Sequence, residues 1–110
     1  MKVSVITAVY NGVHTIEECI KSIMNQTYKD IEHIIIDGRS IDGTLEVIER
    51  YKDKIAKVIS EPDNGIYDAI NKGIGLAIGD VIGVLHSDDF YADNYSDNRN
   101  SDWLPENVNL

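Results

Sequence analysis

The sequence lacks the features that mark several classes of protein. Cys19 is the only cysteine, so the chain can form neither an internal disulfide nor a cysteine metal cluster. No hydrophobic run approaches the roughly 18 residues that a membrane-spanning helix needs. Basic residues are also scarce: 10 Lys and Arg stand against 19 Asp and Glu, which gives a formal net charge of −9. Because nucleic acids require clustered Lys and Arg, we expect no nucleic-acid partner.

A secretion signal is not evident at the beginning of the chain. Apolar and small residues alternate in residues 1–10 as they do in a strand. Asn11-Gly12 follows where a signal peptide would have a small-residue cleavage site. We therefore predict a cytoplasmic protein, with peripheral attachment to the inner face of the membrane as a further option.

The glycine-rich motifs of the common nucleotide-binding proteins are absent as well. No such loop ends in Lys-Ser or Lys-Thr, which argues against a P-loop ATPase or GTPase. The glycines in residues 73–79 have the wrong spacing for a dinucleotide fingerprint, and they precede a predicted strand instead of following one. His14, His33 and His86 are too far apart in the sequence to indicate a set of metal ligands.

The sequence does contain a regular alternation of strand and helix patterns. The predicted strands are residues 2–9, 31–37, 55–60 and 81–85, and the predicted helices are about residues 16–25, 43–51 and 66–77. Ile34, Ile35 and Ile36 form a continuous apolar run, which is typical of a strand buried on both faces. This alternation predicts an α/β fold with an open parallel sheet, Rossmann-like in its right-handed crossovers.

The predicted helices have residues suited to their ends. Thr15 and Glu18 have the spacing of a capping box at the first helix. Asp42 is a predicted N-cap of the second helix, and Gly79 is predicted to close the third helix in the C′ position.

The apolar periodicity does not continue to the end of the sequence. Residues 94–102 are almost entirely polar and show no helical or strand period. We therefore predict one α/β domain in residues 1–93 and a polar C-terminal tail in residues 94–110.

The fourth predicted strand runs directly into two adjacent carboxylates, Asp88 and Asp89. Charged groups at the end of a buried strand are costly unless a cation or hydrogen-bond donors meet them. Neighbouring side chains of an extended segment point in opposite directions, so the two acids can have different partners. One can accept a hydrogen bond from a ligand hydroxyl while the other holds a divalent metal. A polar turn is the competing interpretation.

The carboxyl ends of the strands are the predicted binding site, because open parallel sheets bind ligands where their strand order reverses. If the first and fourth strands are neighbours, three segments meet there: residues 7–11, 37–40 and 87–89. Backbone groups after the first strand can then read a base edge, and Asp37 can accept an N–H from that base. Asp88 can bind a ribose hydroxyl, and Asp89 can hold a metal on a diphosphate. An ordinary strand-to-helix loop is the alternative for Asp37.

Five motifs in order resemble those of family 2 glycosyltransferases, which have the GT-A fold. They are Val5-Ile6-Thr7-Ala8-Val9-Tyr10-Asn11, Ser22-Ile23-Met24-Asn25-Gln26-Thr27-Tyr28, Ile36-Asp37-Gly38-Arg39-Ser40-Ile41-Asp42-Gly43-Thr44, Asp63-Asn64-Gly65-Ile66-Tyr67-Asp68-Ala69-Ile70-Asn71-Lys72-Gly73 and Ser87-Asp88-Asp89. The similarity covers residues 2–93. It implies that the domain is the nucleotide-binding half of a GT-A fold.

The resemblance also implies a donor and a site. The donor is a nucleotide-sugar, a UDP-sugar by preference, and the reaction is sugar transfer with inversion at the anomeric carbon. The implied nucleotide-binding residues are Thr7, Ala8, Val9, Tyr10, Asp37, Ser87 and Asp88. Asp89 is the implied ligand of Mn²⁺ or Mg²⁺, whose charge would stabilise the departing diphosphate. The motif beginning at Asp63 is typical of bacterial polysaccharide and cell-envelope synthesis, which implies a saccharide or lipid-linked acceptor.

Two departures from the family pattern qualify that expectation. Arg39 stands where the family usually has a small residue, so it either contacts the ligand or faces solvent. Complete members continue beyond the metal motif to a carboxylate base, and residues 94–110 match no such base. We therefore assign no catalytic residue. We expect the chain to bind UDP, and the sequence does not predict that it completes the transfer reaction alone.

Two other functions remain open at this point. A metal-dependent nucleotidyltransferase would have a glycine-rich, basic loop after the first strand, which Ala8, Val9, Tyr10 and Asn11 do not provide. A non-catalytic remnant would act through self-association, as a homo-oligomer formed through an exposed sheet edge.

Overall fold

The computed structural model describes residues 1–87. In order, their elements are β1 (Val3–Val9), α1 (Ile16–Met24), β2 (Ile31–Asp37), α2 (Thr44–Arg50), a short 3₁₀ helix (Lys52–Lys54), β3 (Lys57–Ser60), α3 (Ile66–Leu76) and β4 (Val81–Val84). The predicted elements are confirmed in type and order. The predicted boundary between domain and tail at residue 93 lies outside the described residues and stays a prediction.

The four strands form one parallel sheet in the order β3-β2-β1-β4. Val3 of β1 lies opposite both Ile31 of β2 and Val81 of β4. The chain therefore adds β2 and β3 on one side of β1 and then crosses over to place β4 on the other side. This confirms the predicted open α/β sheet, and it meets the condition that the first and fourth strands are neighbours.

Helices pack on both faces of this sheet. On one face α1 and α2 cover Val9 and Ile35, with Ile16, Ile20 and Val47 as their buried residues. On the other face α3 packs against a separate group of buried residues. That group consists of Ile6, Ala8, Ile34, Ile36 and Ala69. The continuous isoleucine run of β2 is thus buried from both sides, as its sequence predicts.

α1 begins at Ile16 with Thr15 at its N-cap, as predicted, but the predicted capping box and the predicted end of the third helix are wrong. Thr15 precedes α1, but its side chain makes no capping bond within the described structure, since its hydroxyl donates to the Gly12 carbonyl at 3.4 Å. The helix α3 ends at Leu76, three residues before Gly79. Gly79 is instead where the chain passes closely over the start of β1: a Cβ there would lie 2.7 Å from the Ser4 backbone nitrogen.

The predicted cap at Asp42 is shifted by one residue. α2 begins at Thr44, and Gly43, with φ of 102°, occupies the N-cap position. The Asp42 carboxylate still accepts the Thr44 N–H at 3.1 Å, and it also accepts the Val13 N–H at 3.1 Å. Asp42 therefore joins the start of α2 to the loop that follows β1.

Gly73 is the closest contact between α3 and the sheet. A Cβ at Gly73 would lie 2.4 Å from Cγ2 of the fully buried Ile6, whereas a Cβ at Gly75 would meet nothing within 4 Å. We expect Gly73→Ala to lower the free energy of unfolding by about 1–3 kcal/mol through overpacking.

The matched variant Gly75→Ala should instead raise the free energy of unfolding, by about 0.5–1 kcal/mol, because alanine loses less backbone entropy in a helix. Urea unfolding followed by circular dichroism measures both changes. Equal effects of the two substitutions would contradict the packing of α3 on β1.

β4 is an edge strand of the described sheet, and its outward apolar side chains are partly uncovered. Ile82 and Val84 are 40% and 41% exposed. Self-association through this edge stays a prediction. None of the helices in residues 1–87 has the length and apolar character to cross a membrane.

Candidate functional site

A cleft of about 880 Å³ lies beyond the carboxyl ends of the strands. Segments that follow β1, β2, β3 and β4 all reach it. The lining residues are Ala8, Val9, Tyr10, Asn11, Gly12, Thr15, Gly38, Pro62, Asp63, Gly65, Ile66, Ala69, His86 and Ser87. Its volume lies within the range of about 300–1,000 Å³ that is usual for small-molecule sites.

The electrostatic character of the cleft comes from the backbone more than from side chains. α1 and α3 both begin at the cleft, next to Thr15 and Ile66, and a helix N-terminus carries a partial positive charge. Among the described lining residues there is no Lys or Arg, and Asp63 contributes a carboxylate. The described lining therefore combines two helix N-termini with one carboxylate.

The loop after β1 is fixed in an unusual conformation. Asn11 has φ of 50°, in the left-handed region that asparagine tolerates better than most residues. Its backbone N–H donates to the Ser40 hydroxyl at 2.8 Å, and its side-chain oxygen accepts the Ile41 N–H at 2.9 Å. The loops after β1 and β2 thus hold each other in place at the rim of the cleft.

Asp37 lies under that rim and is fully buried. Its carboxylate accepts three hydrogen bonds: from the Ser40 backbone N–H at 2.8 Å, the Ser40 hydroxyl at 2.6 Å and the Ser60 hydroxyl at 2.8 Å. Asp37 does not line the cleft. Oδ1 accepts one of these bonds and Oδ2 accepts two, so Oδ1 keeps an unused acceptor site.

The other predicted nucleotide-binding residues divide into three groups. Ala8, Val9, Tyr10 and Ser87 line the cleft. Thr7 is buried and lies outside its lining. Asp88 and the predicted metal ligand Asp89 lie outside the described residues, so the structure does not place them.

Thr7 makes its contacts in the core below the cleft. Its hydroxyl lies 2.8 Å from Nε2 of His33 and 3.7 Å from Sγ of Cys19. Burial lowers the pKa of His33 from 6.5 to about 4, because the charged imidazolium loses its hydration there. At neutral pH His33 is therefore uncharged, and its ring contacts the Thr7 hydroxyl on the core side of the cleft.

Asp63 is a charged lining residue that the sequence prediction did not assign to the site. It follows β3, and a Cβ built at Gly38 would lie 3.0 Å from its Oδ2 and 3.4 Å from Cδ1 of Tyr10. The absence of a side chain at Gly38 therefore lets the Asp63 carboxylate and the Tyr10 ring pack closely against the backbone. The position of Asp63 after the third predicted strand could have placed it at the site, because β3 ends at the same edge of the sheet as its neighbours.

His86 and Arg39 lie in loops at this end of the sheet. Nδ1 of His86 is buried without a hydrogen-bond partner in the described part of the chain. Arg39 is exposed, has φ of 70° and is not a lining residue. Its contact with a ligand stays a prediction.

The described residues do not form a metal site by themselves. Within residues 1–87 no three His, Cys, Asp or Glu side chains come together in a way that could hold a metal ion.

The sequence matches a family model and curated proteins. The model described as Glycosyl transferase family 2 matches residues 4–97. An uncharacterized glycosyltransferase of Mycobacterium tuberculosis is 42% identical over 91 residues, which are 82% of this chain and 35% of that protein. A cholesterol galactosyltransferase of Borreliella burgdorferi is 39% identical over 90 residues, 80% of this chain and 25% of that protein. The chain thus spans about a third or less of the length of these relatives.

Solved structures also match. Staphylococcus aureus TarS 1-349 in complex with UDP-GlcNAc has a TM-score of 0.74 and 29% identity, over 80% of this chain and 27% of that one. A mannosyltransferase from Pyrobaculum calidifontis in complex with GDP-Man and Mn²⁺ has a TM-score of 0.73 and 28% identity, over 79% of this chain and 27% of that one.

Proposed function

This chain belongs to glycosyl transferase family 2 and has the α/β sheet of a GT-A glycosyltransferase, and we propose that it binds the nucleotide-sugar donor of a sugar-transfer reaction. The cleft is the proposed donor site. Ala8, Val9, Tyr10 and Ser87 are the proposed nucleotide contacts, and Thr7 and Asp37 act on the site from beneath it. Asp88 is the proposed ribose ligand.

One observation carries this proposal: the cleft lies beyond the carboxyl ends of β1 and β4, between which the strand order reverses, and two helices begin at it. That is the usual ligand position of an open parallel sheet. The cleft is large enough for a nucleotide-sugar, and a similar solved structure is a complex with UDP-GlcNAc. These points together support a UDP-sugar donor.

A divalent metal, Mn²⁺ or Mg²⁺, is part of the proposal. The lack of Lys and Arg among the described lining residues leaves the charge of a diphosphate incompletely balanced. Asp89 is the proposed ligand, on the basis of its position in the sequence after β4. When bound, the metal would neutralise charge on the diphosphate. The Mn²⁺ complex of a similar mannosyltransferase supports this part of the proposal.

The proposed reaction is the transfer of a sugar to a saccharide acceptor. Similar proteins of Pasteurella multocida are a chondroitin synthase and a hyaluronan synthase, each 38% identical over 90 residues. They support a saccharide acceptor and a role in polysaccharide synthesis. The proposed transfer inverts the configuration at the anomeric carbon. No described residue is assigned as the general base.

Calorimetry with UDP in the presence and absence of Mn²⁺ tests the donor site. We expect UDP to bind with Mn²⁺, and we expect removal of Mn²⁺ or the substitution Asp89→Ala to abolish binding, because a metal ligand must be a hard oxygen donor. Asp53→Ala is the matched control, since Asp53 is exposed on the 3₁₀ helix that precedes β3, at the opposite end of the sheet.

The control should bind UDP as tightly as the wild-type chain does. Failure of the wild-type chain to bind UDP under any metal condition would refute the donor site. Binding that is unchanged in Asp89→Ala would refute the assignment of the metal ligand alone.

A further inference from the structure

A buried carboxylate binds the segment between α3 and β4 to the sheet, at the end of the sheet opposite the cleft. We call this segment, residues 77–80, the α3–β4 connection. We propose that Glu32 is a pH-sensitive switch for it. Ionised Glu32 holds the α3–β4 connection against the sheet, and protonation of Glu32 lets the connection open locally while the sheet stays folded.

Two consecutive N–H groups of the α3–β4 connection bond to side chains of the sheet. The Ile78 N–H donates to Oε2 of Glu32 at 2.9 Å, and the Gly79 N–H donates to the Ser4 hydroxyl oxygen at 2.8 Å. That hydroxyl donates in turn to the same Oε2 at 2.6 Å. Ser4 and Glu32 lie opposite each other in β1 and β2. Both bonds of the connection therefore depend on one carboxylate.

Lys57 of β3 supplies the positive charge beside this carboxylate. Its Nζ lies 3.6 Å from Oε1 of Glu32 and donates to the Leu76 carbonyl at 2.6 Å. Leu76 is the last residue of α3, so the ammonium group also meets the negative end of the helix dipole. Glu32 is only 5% exposed, and a buried charge without a cation is strongly destabilising. Lys57 therefore links the end of α3 to the charge of Glu32.

Apolar packing contributes little in the middle of the α3–β4 connection. The Ile78 side chain is 70% exposed. Gly79 lies so close to β1 that a Cβ there would be 2.5 Å from Oγ of Ser4. A backbone bond to the sheet follows only at Asp80, whose N–H donates to the Lys2 carbonyl at 2.7 Å. Segments with few buried apolar contacts open at a lower free energy than the core does, so the connection is suited to open before the sheet.

The surroundings of Glu32 keep it ionised at neutral pH. Burial raises the pKa of this carboxyl, but the hydrogen bonds from Ile78 and Ser4 and the charge of Lys57 outweigh burial and hold its pKa below the usual value. The stabilisation from the ionised form is therefore complete above the usual glutamate pKa. It is lost as the pH falls through the lower pKa of the folded chain.

Hydrogen exchange measured by NMR tests the switch, because the Ile78 N–H reports its bond to Glu32 directly. At about pH 6 we expect Glu32→Gln to lower the protection factor of this N–H roughly ten- to a hundredfold, as for the loss of a hydrogen bond to a charged group. The N–H of the fully buried Ile35 in β2 should change less. Glu49→Gln is the matched control, since it breaks an exposed ion pair with Lys52 and should leave both amides unchanged.

Acidification provides a second readout. His33→Gln serves as the background, because it removes a buried imidazole that titrates in the same pH range. In this background the protection of Ile78 relative to Ile35 should fall roughly tenfold or more as Glu32 becomes protonated. The added substitution Glu32→Gln should make this ratio independent of pH. Lys57→Met keeps the aliphatic stem without the charge, so it should move the transition to higher pH.

Three outcomes would overturn the switch. Equal losses of protection at Ile78 and Ile35 in Glu32→Gln would show that the carboxylate stabilises the whole fold. Unchanged protection of Ile78 in that variant would show that Glu32 does not hold the connection. The other acid of the connection, Asp80, is exposed and accepts the Lys2 N–H at 2.9 Å. A pH-dependent ratio that persists in Glu32→Gln and disappears in Asp80→Asn would assign the switch to Asp80.

Discussion

Replacing Asp37 with alanine should lower the free energy of unfolding by about 3–4 kcal/mol. The carboxylate accepts three hydrogen bonds in a fully buried position. Removing it leaves the Ser40 N–H and the hydroxyls of Ser40 and Ser60 without their acceptor. Each buried unsatisfied donor costs about 1–3 kcal/mol. Ser60 is exposed, so its hydroxyl can turn to water, and the loss comes mainly from the two donors of Ser40.

Urea unfolding of Asp37→Ala, Asp37→Asn and Asp53→Ala checks this expectation. Asparagine keeps the shape of the side chain but replaces one acceptor oxygen with a donor, so its effect should be intermediate. Asp53 is exposed, and its loss should change stability by less than about 0.5 kcal/mol. If Asp37→Ala is as stable as Asp53→Ala, the buried network does not have the role described.

The same network predicts an effect on the cleft. Ser40 accepts the Asn11 N–H and donates to Asp37, so the network holds the loop after β1. A Ser40→Ala variant that remains folded should therefore bind the proposed donor more weakly, although the Ser40 side chain does not line the cleft. This is the behaviour of a positioning residue, and Ser60→Ala, on the far side of Asp37, should have a smaller effect.

Acidification from pH 7 to pH 4 should remove about 3 kcal/mol of stability through His33 alone. Burial lowers the pKa of this imidazole to about 4 in the folded chain, against 6.5 when it is exposed. Between these two values the unfolded state binds a proton that the folded state does not. Stability therefore rises with pH through this window, and the contribution is complete above about pH 7.

His33→Gln isolates this contribution from that of the carboxylates. Glutamine has no titratable group and can still hydrogen bond to the Thr7 hydroxyl, which lies 2.8 Å from His33 in the native chain. The gap in unfolding free energy between wild type and His33→Gln should narrow by about 3 kcal/mol as the pH falls from 7 to 4. His14→Gln, at an exposed position, should leave the wild-type profile unchanged. Parallel profiles for wild type and His33→Gln would contradict the burial of a neutral His33.

Most of the fold could be predicted from the order of apolar patterns. The isoleucine run of β2 predicted a strand buried on both faces, and the alternation of elements predicted a parallel sheet. Helix ends were predicted less well. Gly79 looked like a helix terminus, but its lack of a side chain serves a close approach to Ser4, which is distant in the sequence.

The candidate site was predicted in position but only partly in detail. Ala8, Val9, Tyr10 and Ser87 were expected at the cleft because strand ends of a parallel sheet share one edge, and they lie there. Thr7 lies two residues before the end of β1, and its side chain is buried in the core below the cleft. Asp63 was missed because its loop was predicted only from its polar residues. The position of β3, which ends at the same edge of the sheet as the cleft, was not used.

The sequence by itself determined the architecture of this protein. The spacing of apolar residues that distinguishes a helix from a strand is set by residues only a few positions apart. Only the tertiary structure decided which carboxylate reaches the cleft. Asp37 ends β2 and Asp63 follows β3, so both lie at strand ends in the sequence. Asp37 is buried and bonded because folding brings Ser60 to it from 23 residues away, while Asp63 lines the cleft. Availability of a polar atom depends on partners that only the folded chain brings together.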